Sequence, residues 1–258
     1  VAPFLDPHDS SFIGGFLQHL VDGTPGRLER MNSYLDDGKA ATDAAVPTAY
    51  EHLYRDDEST GEFMTAMWTL SHGVSRELVD LAGLDGARAL VDVGGANGPF
   101  SVAALQRHPA LRATVFDLPP VGPHLHARAR AHDLTDRLSF VAGDFFRDDL
   151  PHGDVIALGY VMSNWPDDEC VALLRAAYRA CVPGGRVLVM DRLFTDDRAG
   201  PLATATMNLL MQVETHGRHR TAAEYTAMLE LAGFADSEVR LSSLDKHLII
   251  GHRPEETT

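Results

Sequence analysis

Cysteine is scarce in this chain. Cys170 and Cys181 are the 2 cysteines in 258 residues. That is too few for a disulfide framework, and their spacing suits no thiolate metal site, so both read as buried free thiols in one helical region. Cations are also short: 22 lysines and arginines face 37 aspartates and glutamates, a formal net charge of −15. Such a balance repels phosphate backbones and argues against a nucleic-acid partner. No apolar run is long enough to cross a bilayer. The opening VAPFLDPHDSS lacks the basic start and apolar core of an export signal, so the expectation is a cytoplasmic protein without a membrane partner. The 13 histidines are numerous, but His19, His52, His124, His126, His132 and His152 sit among polar neighbours without zinc-type spacing. Most are expected to be solvated, and no metal is expected.

What the chain does have is a glycine-rich turn between two apolar patterns. Leu90 to Val93 has the length and composition of a buried parallel strand. Gly94, Gly95 and Gly98 follow, and a helical pattern opens at Phe100. A strand-to-helix turn of this kind offers free backbone N–H groups to a nucleotide-like ligand. The next strand, ending in Asp117 about 20 residues on, brings a carboxylate able to accept both hydroxyls of a ribose. A third strand ends in Asp144, Phe145 and Phe146, an acid and two aromatics suited to an adenine amine and ring. The first two features serve NAD and S-adenosylmethionine alike; a dinucleotide site does not need the third.

The runs VDVGGANG, TVFDLPPV, GDFF, NWPDDE and PGGRVLVMD, in this order, resemble the S-adenosylmethionine-dependent small-molecule O-methyltransferases typified by plant caffeate and bacterial polyketide enzymes. The likeness runs from about Phe12 to Arg253. It implies an α/β fold, a Rossmann-like, doubly wound and mostly parallel sheet, with residues 1–82 a helical remnant of the dimerisation and lid region and 83–258 the cofactor-binding catalytic domain. It also implies a small aromatic substrate and a homodimer. The family usually opens with a winged-helix dimerisation module, and this sequence starts near where that module ends, so the module is absent or the sequence is a fragment. Exposed Phe12, Ile13, Phe16 and Leu17 would then mark a dimer face.

Alternating patterns support that fold. Helices are expected over Phe12–Leu20, Pro25–Leu35, Tyr50–Tyr54 and Ser59–Ala82, with Ala40–Val46 a connector. From Ala87 onward strands and helices alternate: Leu90–Val93, Thr114–Asp117, Leu138–Gly143, Val155–Leu158 and Arg186–Met190 are strands, separated by helices that include His124–Ala131 and Asp167–Cys181. Pro183-Gly184-Gly185 is expected to end the helix and start the fifth strand. Helices Leu202–Val213 and Thr221–Ala232 and a hairpin of Glu238–Leu241 with His247–Gly251 close the chain.

The resemblance gives Ser71, Gly94, Gly95, Gly98, Asp117, Leu118, Asp144, Phe145 and Trp165 to the cofactor. It gives Met67, Met162, Met207, Asn208 and Met211 to the substrate; core packing is the alternative reading of the methionines. It breaks at the catalytic base. The family's His-(Asp/Asn)-Trp motif reads Ser163-Asn164-Trp165 here, and a serine is no general base near neutral pH. The family's two flanking carboxylates fall on Asp191 and on the position held by His219. A neutral histidine, ordinary pKa ~6.5, could serve as base with Asp191 orienting it; a surface histidine among arginines is the alternative. Ala96 replaces a loop glycine, tolerable at negative φ. C-methylation of an electron-rich ring, or a hydroxylase or cyclisation catalyst that holds the cofactor without using its methyl, stays open on the same fold.

Overall fold

The computed structural model describes residues 6, 13–22, 24–39 and 53–256. Phe12, His52, the connector 40–46 and residues 50–52 of an expected helix lie outside the described residues, and 53–56 form a turn.

Three helices come first: α1 (Gly14–Asp22), α2 (Thr24–Asp37) and α3 (Asp57–Ala82). Helix α3 starts where Asp56 accepts the Ser59 N–H and stops at Gly83, whose φ of 59° is open to glycine without strain. Then β1 (Ala89–Val93), α4 (Pro99–Arg107), β2 (Arg112–Asp117), α5 (Gly122–Ala131), β3 (Leu138–Ala142), β4 (Gly153–Gly159), α6 (Asp167–Ala180) and β5 (Cys181–Asp191) alternate. The short β6 (Leu193–Phe194), α7 (Leu202–Glu214), β7 (Arg220–Thr221), α8 (Ala222–Ala232), β8 (Ala235–Arg240) and β9 (His247–His252) complete the order.

The main sheet runs β3-β2-β1-β4-β5-β9-β8, with β9 antiparallel to both its neighbours, β5 and β8, and the other pairs parallel. Strand order reverses between β1 and β4, and the crevice at the carboxyl ends of such neighbours is where open α/β sheets take ligands. One face of the sheet is packed by α3, α4 and α5 through Val74, Leu78, Phe100, Leu105 and Leu125. The other is packed by α6 and α8 through Leu173, Leu174, Tyr225 and Leu229. Burial of the second half of α3 in the first of these layers ties it to the sheet.

Three expectations are corrected. Helix α6 ends at Ala180, so Cys181 begins β5 rather than closing the helix. Cys181 pairs with Gly153, and Pro183-Gly184-Gly185 bulges out before Arg186 rejoins the ladder at Val155. A Cβ on Gly185 would fall 2.6 Å from the Asp154 carbonyl oxygen, which is why glycine occupies the bulge. Second, Ala96 adopts φ 50°, the left-handed region, so a side chain is carried at a strained position beside the cavity described next. Third, of the histidines expected at the surface, His126 and His152 are exposed, but His19, His124 and His132 are half-buried, the last stacked near Trp68. Both cysteines are free and buried.

Candidate active site

A cavity of about 1420 Å³ opens at the carboxyl ends of β1, β2, β4 and β5, beneath α1, α2, α3 and α7. Its floor is the loop after β1. Gly94 has φ 66°, and a Cβ there would lie 2.8 Å from Val161. The backbone at Gly95 folds over Asp92 so closely that a Cβ would meet its carboxyl carbon at 2.6 Å. Gly98, at φ 79°, caps α4, with Pro99 supplying the first turn.

Two buried carboxylates face this floor. Asp92 accepts a hydrogen bond from Ser101 Oγ at 2.7 Å; burial pushes its pKa up to about 6, the Ser101 bond opposing and the Asp117 charge adding. Asp117 is also pushed up to about 6 by burial, against the N–H groups of Leu118 and Ala96, at 2.7 and 2.8 Å from its two oxygens. Each oxygen of Asp117 keeps a free lone pair for a ligand hydroxyl. Beside them Phe145, Phe146 and Trp165 form an aromatic corner: Phe146 meets Phe145 and Trp165 edge-on, both at 4.7 Å between centroids.

Across the cavity lies His219, 3% exposed and therefore not a surface residue. Its Nδ1 stands 3.1 Å from Oδ1 of the fully buried Asp191. Among the described residues neither ring nitrogen is aligned in a hydrogen bond, and Nε2 has no partner. Burial alone would raise the Asp191 pKa, but His219, Tyr225 and the Arg192 N–H together hold it below the ordinary carboxylate value. The loop carrying His219 is fixed from several sides. Its N–H donates to Asn208 Oδ1 at 2.8 Å. Arg220, fully buried, donates to the Met162 and Trp165 carbonyls at 2.9 and 2.8 Å. The Gly217 backbone rests on the 163–165 turn, so the loop touches the turn where the family motif would put its own histidine.

Of the residues expected from sequence, Ser71, Gly94, Gly95, Asp117, Leu118, Asp144, Phe145, Trp165, Met67, Met207, Met211, Ser163 and His219 line the cavity. Gly98, Asp191, Met162 and Asn208 do not. Gly98 shapes the loop, and Asp191 backs His219. Met162 is buried in the core and offers its carbonyl to Arg220, and Asn208 holds the His219 backbone. Asp92, Arg220 and Tyr225 were not singled out by sequence. An acid inside an apolar strand is a signal for the first; the other two depend on contacts distant in sequence.

The apolar roof is tied down by cations. Arg27 pairs with Glu214 at the end of α7. Arg30 and Lys39 donate to the Val213, Gln212 and Thr215 carbonyls at 2.5, 2.8 and 2.7 Å, satisfying the helix end that would otherwise lack donors.

A sheet of this order, with a glycine loop and two strand-end acids at its switch point, defines the class of S-adenosylmethionine-dependent methyltransferases. Within that class the chain belongs to the O-methyltransferase domain family, whose model matches residues 34–235. It is 37% identical to the acetylserotonin O-methyltransferase of Bos taurus over 194 residues, 74% of this chain and 55% of that protein. To the tetracenomycin polyketide synthesis 8-O-methyl transferase of Streptomyces glaucescens it is 34% identical over 97% of this chain and 74% of the relative. The crystal structure of human N-acetylserotonin methyltransferase in complex with SAM superposes with a TM-score of 0.88 at 26% identity, covering 98% of this chain and 74% of that one. The chain thus spans little more than half the length of the bovine relative.

Proposed function

We propose that this chain binds S-adenosylmethionine and methylates a hydroxyl of a small aromatic molecule, a phenol or polyketide-type intermediate of secondary metabolism. The observation that carries this reading is the pairing, in one cavity, of the glycine loop and its two buried acids with a histidine backed by Asp191. The donor set fits the cofactor. Asp117 has lone pairs left for ribose hydroxyls, Asp144 and the aromatic corner suit an adenine, and Ser71 and Leu118 line the same space. Burial raises the pKa values of Asp92 and Asp117, and a bound cation would favour their ionised forms.

S-adenosylmethionine, when bound, supplies an electrophilic sulfonium methyl and leaves as S-adenosylhomocysteine. His219 Nε2 takes the proton of the acceptor hydroxyl as its oxygen attacks, with Asp191 at Nδ1 favouring the tautomer that leaves Nε2 as acceptor. Met67, Met207 and Met211 hold the flat ring of the acceptor, and the covered cavity orients two reactants, which supplies much of the rate in such reactions. Ser163 takes no part in proton transfer. Residues 1–82 act as lid and dimer segment and 83–258 as the catalytic unit, in a homodimer. The cytoplasm is the compartment we assign, in keeping with two reduced, buried thiols. Among the described residues no helix is long and apolar enough to cross a membrane.

The test is the mass of the product formed from S-adenosylmethionine and a panel of phenols, with S-adenosylhomocysteine release followed alongside. His219→Ala should lower kcat by about 10²–10⁴-fold and leave cofactor affinity near that of the unaltered protein, while Ser163→Ala should do little. Full activity in His219→Ala with a rate independent of pH near neutrality would remove histidine as base. A product methylated on carbon, or turnover without methyl transfer, would overturn the O-methylation reading.

A further inference from the structure

We propose that Tyr225 is a positioning residue for His219, acting through Asp191: its hydroxyl shares the carboxylate with the imidazole, holding its orientation and limiting its pull on the ring proton. This rests on the reading of His219 as the base.

The main chain of His219 is fixed by Asn208 and Arg220, but among the described residues its ring has Asp191 alone at Nδ1. What holds Asp191 therefore sets the state of the ring. Oδ1 of Asp191 accepts the Arg192 N–H at 2.8 Å and faces His219. Oδ2 accepts the Tyr225 hydroxyl at 2.9 Å, the one hydrogen bond to that oxygen among the described residues. A carboxylate with no exposure, held at both oxygens, cannot swing, and part of its charge is spent on the phenol. The Tyr225 ring is itself fully buried in the core beside Leu229, and phenylalanine would fill the same space. The hydroxyl is not needed to fill that space. Burial, then the Asp191 charge, raises the Tyr225 pKa well above its ordinary value, so it remains a donor throughout the working range.

The other charged groups around this trio are matched elsewhere. Arg192 pairs with Asp245 at 2.6 Å. Arg218 and Arg220 share Asp167 at 2.9 and 2.7 Å, and the Arg220 guanidinium lies 5.8 Å from the Tyr225 ring centre. Glu214 is taken by Arg27, and His216 lines the cavity on the same loop. Cys170, pushed up to about 12 by burial, stays neutral. On β9, His247, paired with Asp191, accepts the Ser242 N–H at 3.2 Å, and Lys246 just before it donates to the Leu70 carbonyl at 2.6 Å, which leaves Asp191 as the charge paired with His219.

Tyr225→Phe tests the coupling with two measurements. The first follows the ring-nitrogen signals of His219 by long-range ¹H–¹⁵N NMR against pH in the cofactor-free, histidine-labelled protein. The second follows kcat against pH with S-adenosylmethionine and an accepted phenol. With the phenol gone, Asp191 draws a proton onto His219 more strongly. The His219 transition and the acid limb of the rate should both move to higher pH by about one unit, leaving the rate on that limb about tenfold lower. The KM for S-adenosylmethionine should stay within about twofold. A purely structural tyrosine would lower the plateau or the melting temperature and leave both transitions in place, and that result, or a move to lower pH, overturns the proposal. If Tyr225→Phe does not fold, 3-fluorotyrosine at position 225, a stronger donor, should move both transitions to lower pH, and no movement overturns it. His219→Gln separates the two readings. An acid limb that survives there removes His219 as base, while an NMR transition unmoved by Tyr225→Phe removes only Tyr225.

Discussion

Replacing Asp92 by asparagine should stabilise the cofactor-free protein, and only where the native carboxyl is ionised. Asp92 is 2% exposed, and the backbone at Gly95 closes over it. Burial pushes its pKa from 3.8 up to about 6. An acid with a raised folded-state pKa holds its proton more tightly folded than unfolded. The stability it contributes is complete below pH 3.8 and is lost as pH rises through about 6. A shift of about two units corresponds to roughly 3 kcal/mol, an order-of-magnitude figure. Asparagine is close to isosteric, can still accept from Ser101, and carries no charge to bury. Urea unfolding at a series of pH values, with the slope m checked for constancy, reads the difference directly. The variant and the native protein should match near about pH 4, and the variant should be more stable by about 3 kcal/mol above about pH 7. Saturating S-adenosylmethionine should narrow or reverse the gap, because the neutral variant gains less from a cationic guest. A difference that does not change with pH, or a less stable variant at alkaline pH, would refute the reasoning.

Asp117→Ala removes the proposed acceptor of ribose hydroxyls and should weaken S-adenosylmethionine at least about tenfold by calorimetry; binding of NAD in preference would contradict the cofactor assignment. Gly217→Ala would put a Cβ 2.3 Å from the Ser163 carbonyl oxygen and the Trp165 nitrogen, main-chain atoms that cannot yield. It should cost about 3 kcal/mol in urea unfolding, and a near-neutral result would mean that the loop and the turn are not in contact. Sedimentation at micromolar concentration should give a dimer; a monomer would leave Phe16, which lines the cavity, as a cover for the pocket.

The strands and the glycine loop were legible because their signals are local: an apolar run, and glycines where the backbone must turn. The β5 bulge was misread because Pro183-Gly184-Gly185 looks the same whether it precedes a strand or interrupts one. Only pairing of Cys181 with Gly153 decides that. Met162 and Asn208 share the helical and turn positions of their cavity-lining neighbours, but residues far along the chain claim them: Arg220 takes the Met162 carbonyl, and His219 takes Asn208. Tyr225 gave no signal because its partner is Asp191, 34 positions away. The φ of Ala96 also escaped sequence, since the N–H of that residue answers to Asp117, 21 positions away.

The loop that bears His219 is held by main-chain atoms of the Met162–Trp165 turn, by Asp191 and by Asn208, and none of these contacts passes through Met67, Met207 or Met211. On the proposed reading, the proton-removing unit and the wall that grips the acceptor are therefore separable. Changes at the three methionines can redraw which molecule is accepted while the histidine keeps its place, and changes at Arg220 or Gly217 disturb the histidine whichever molecule is bound. A lineage, or an engineer, can move this scaffold from one acceptor to another along the first set of positions without rebuilding its chemistry.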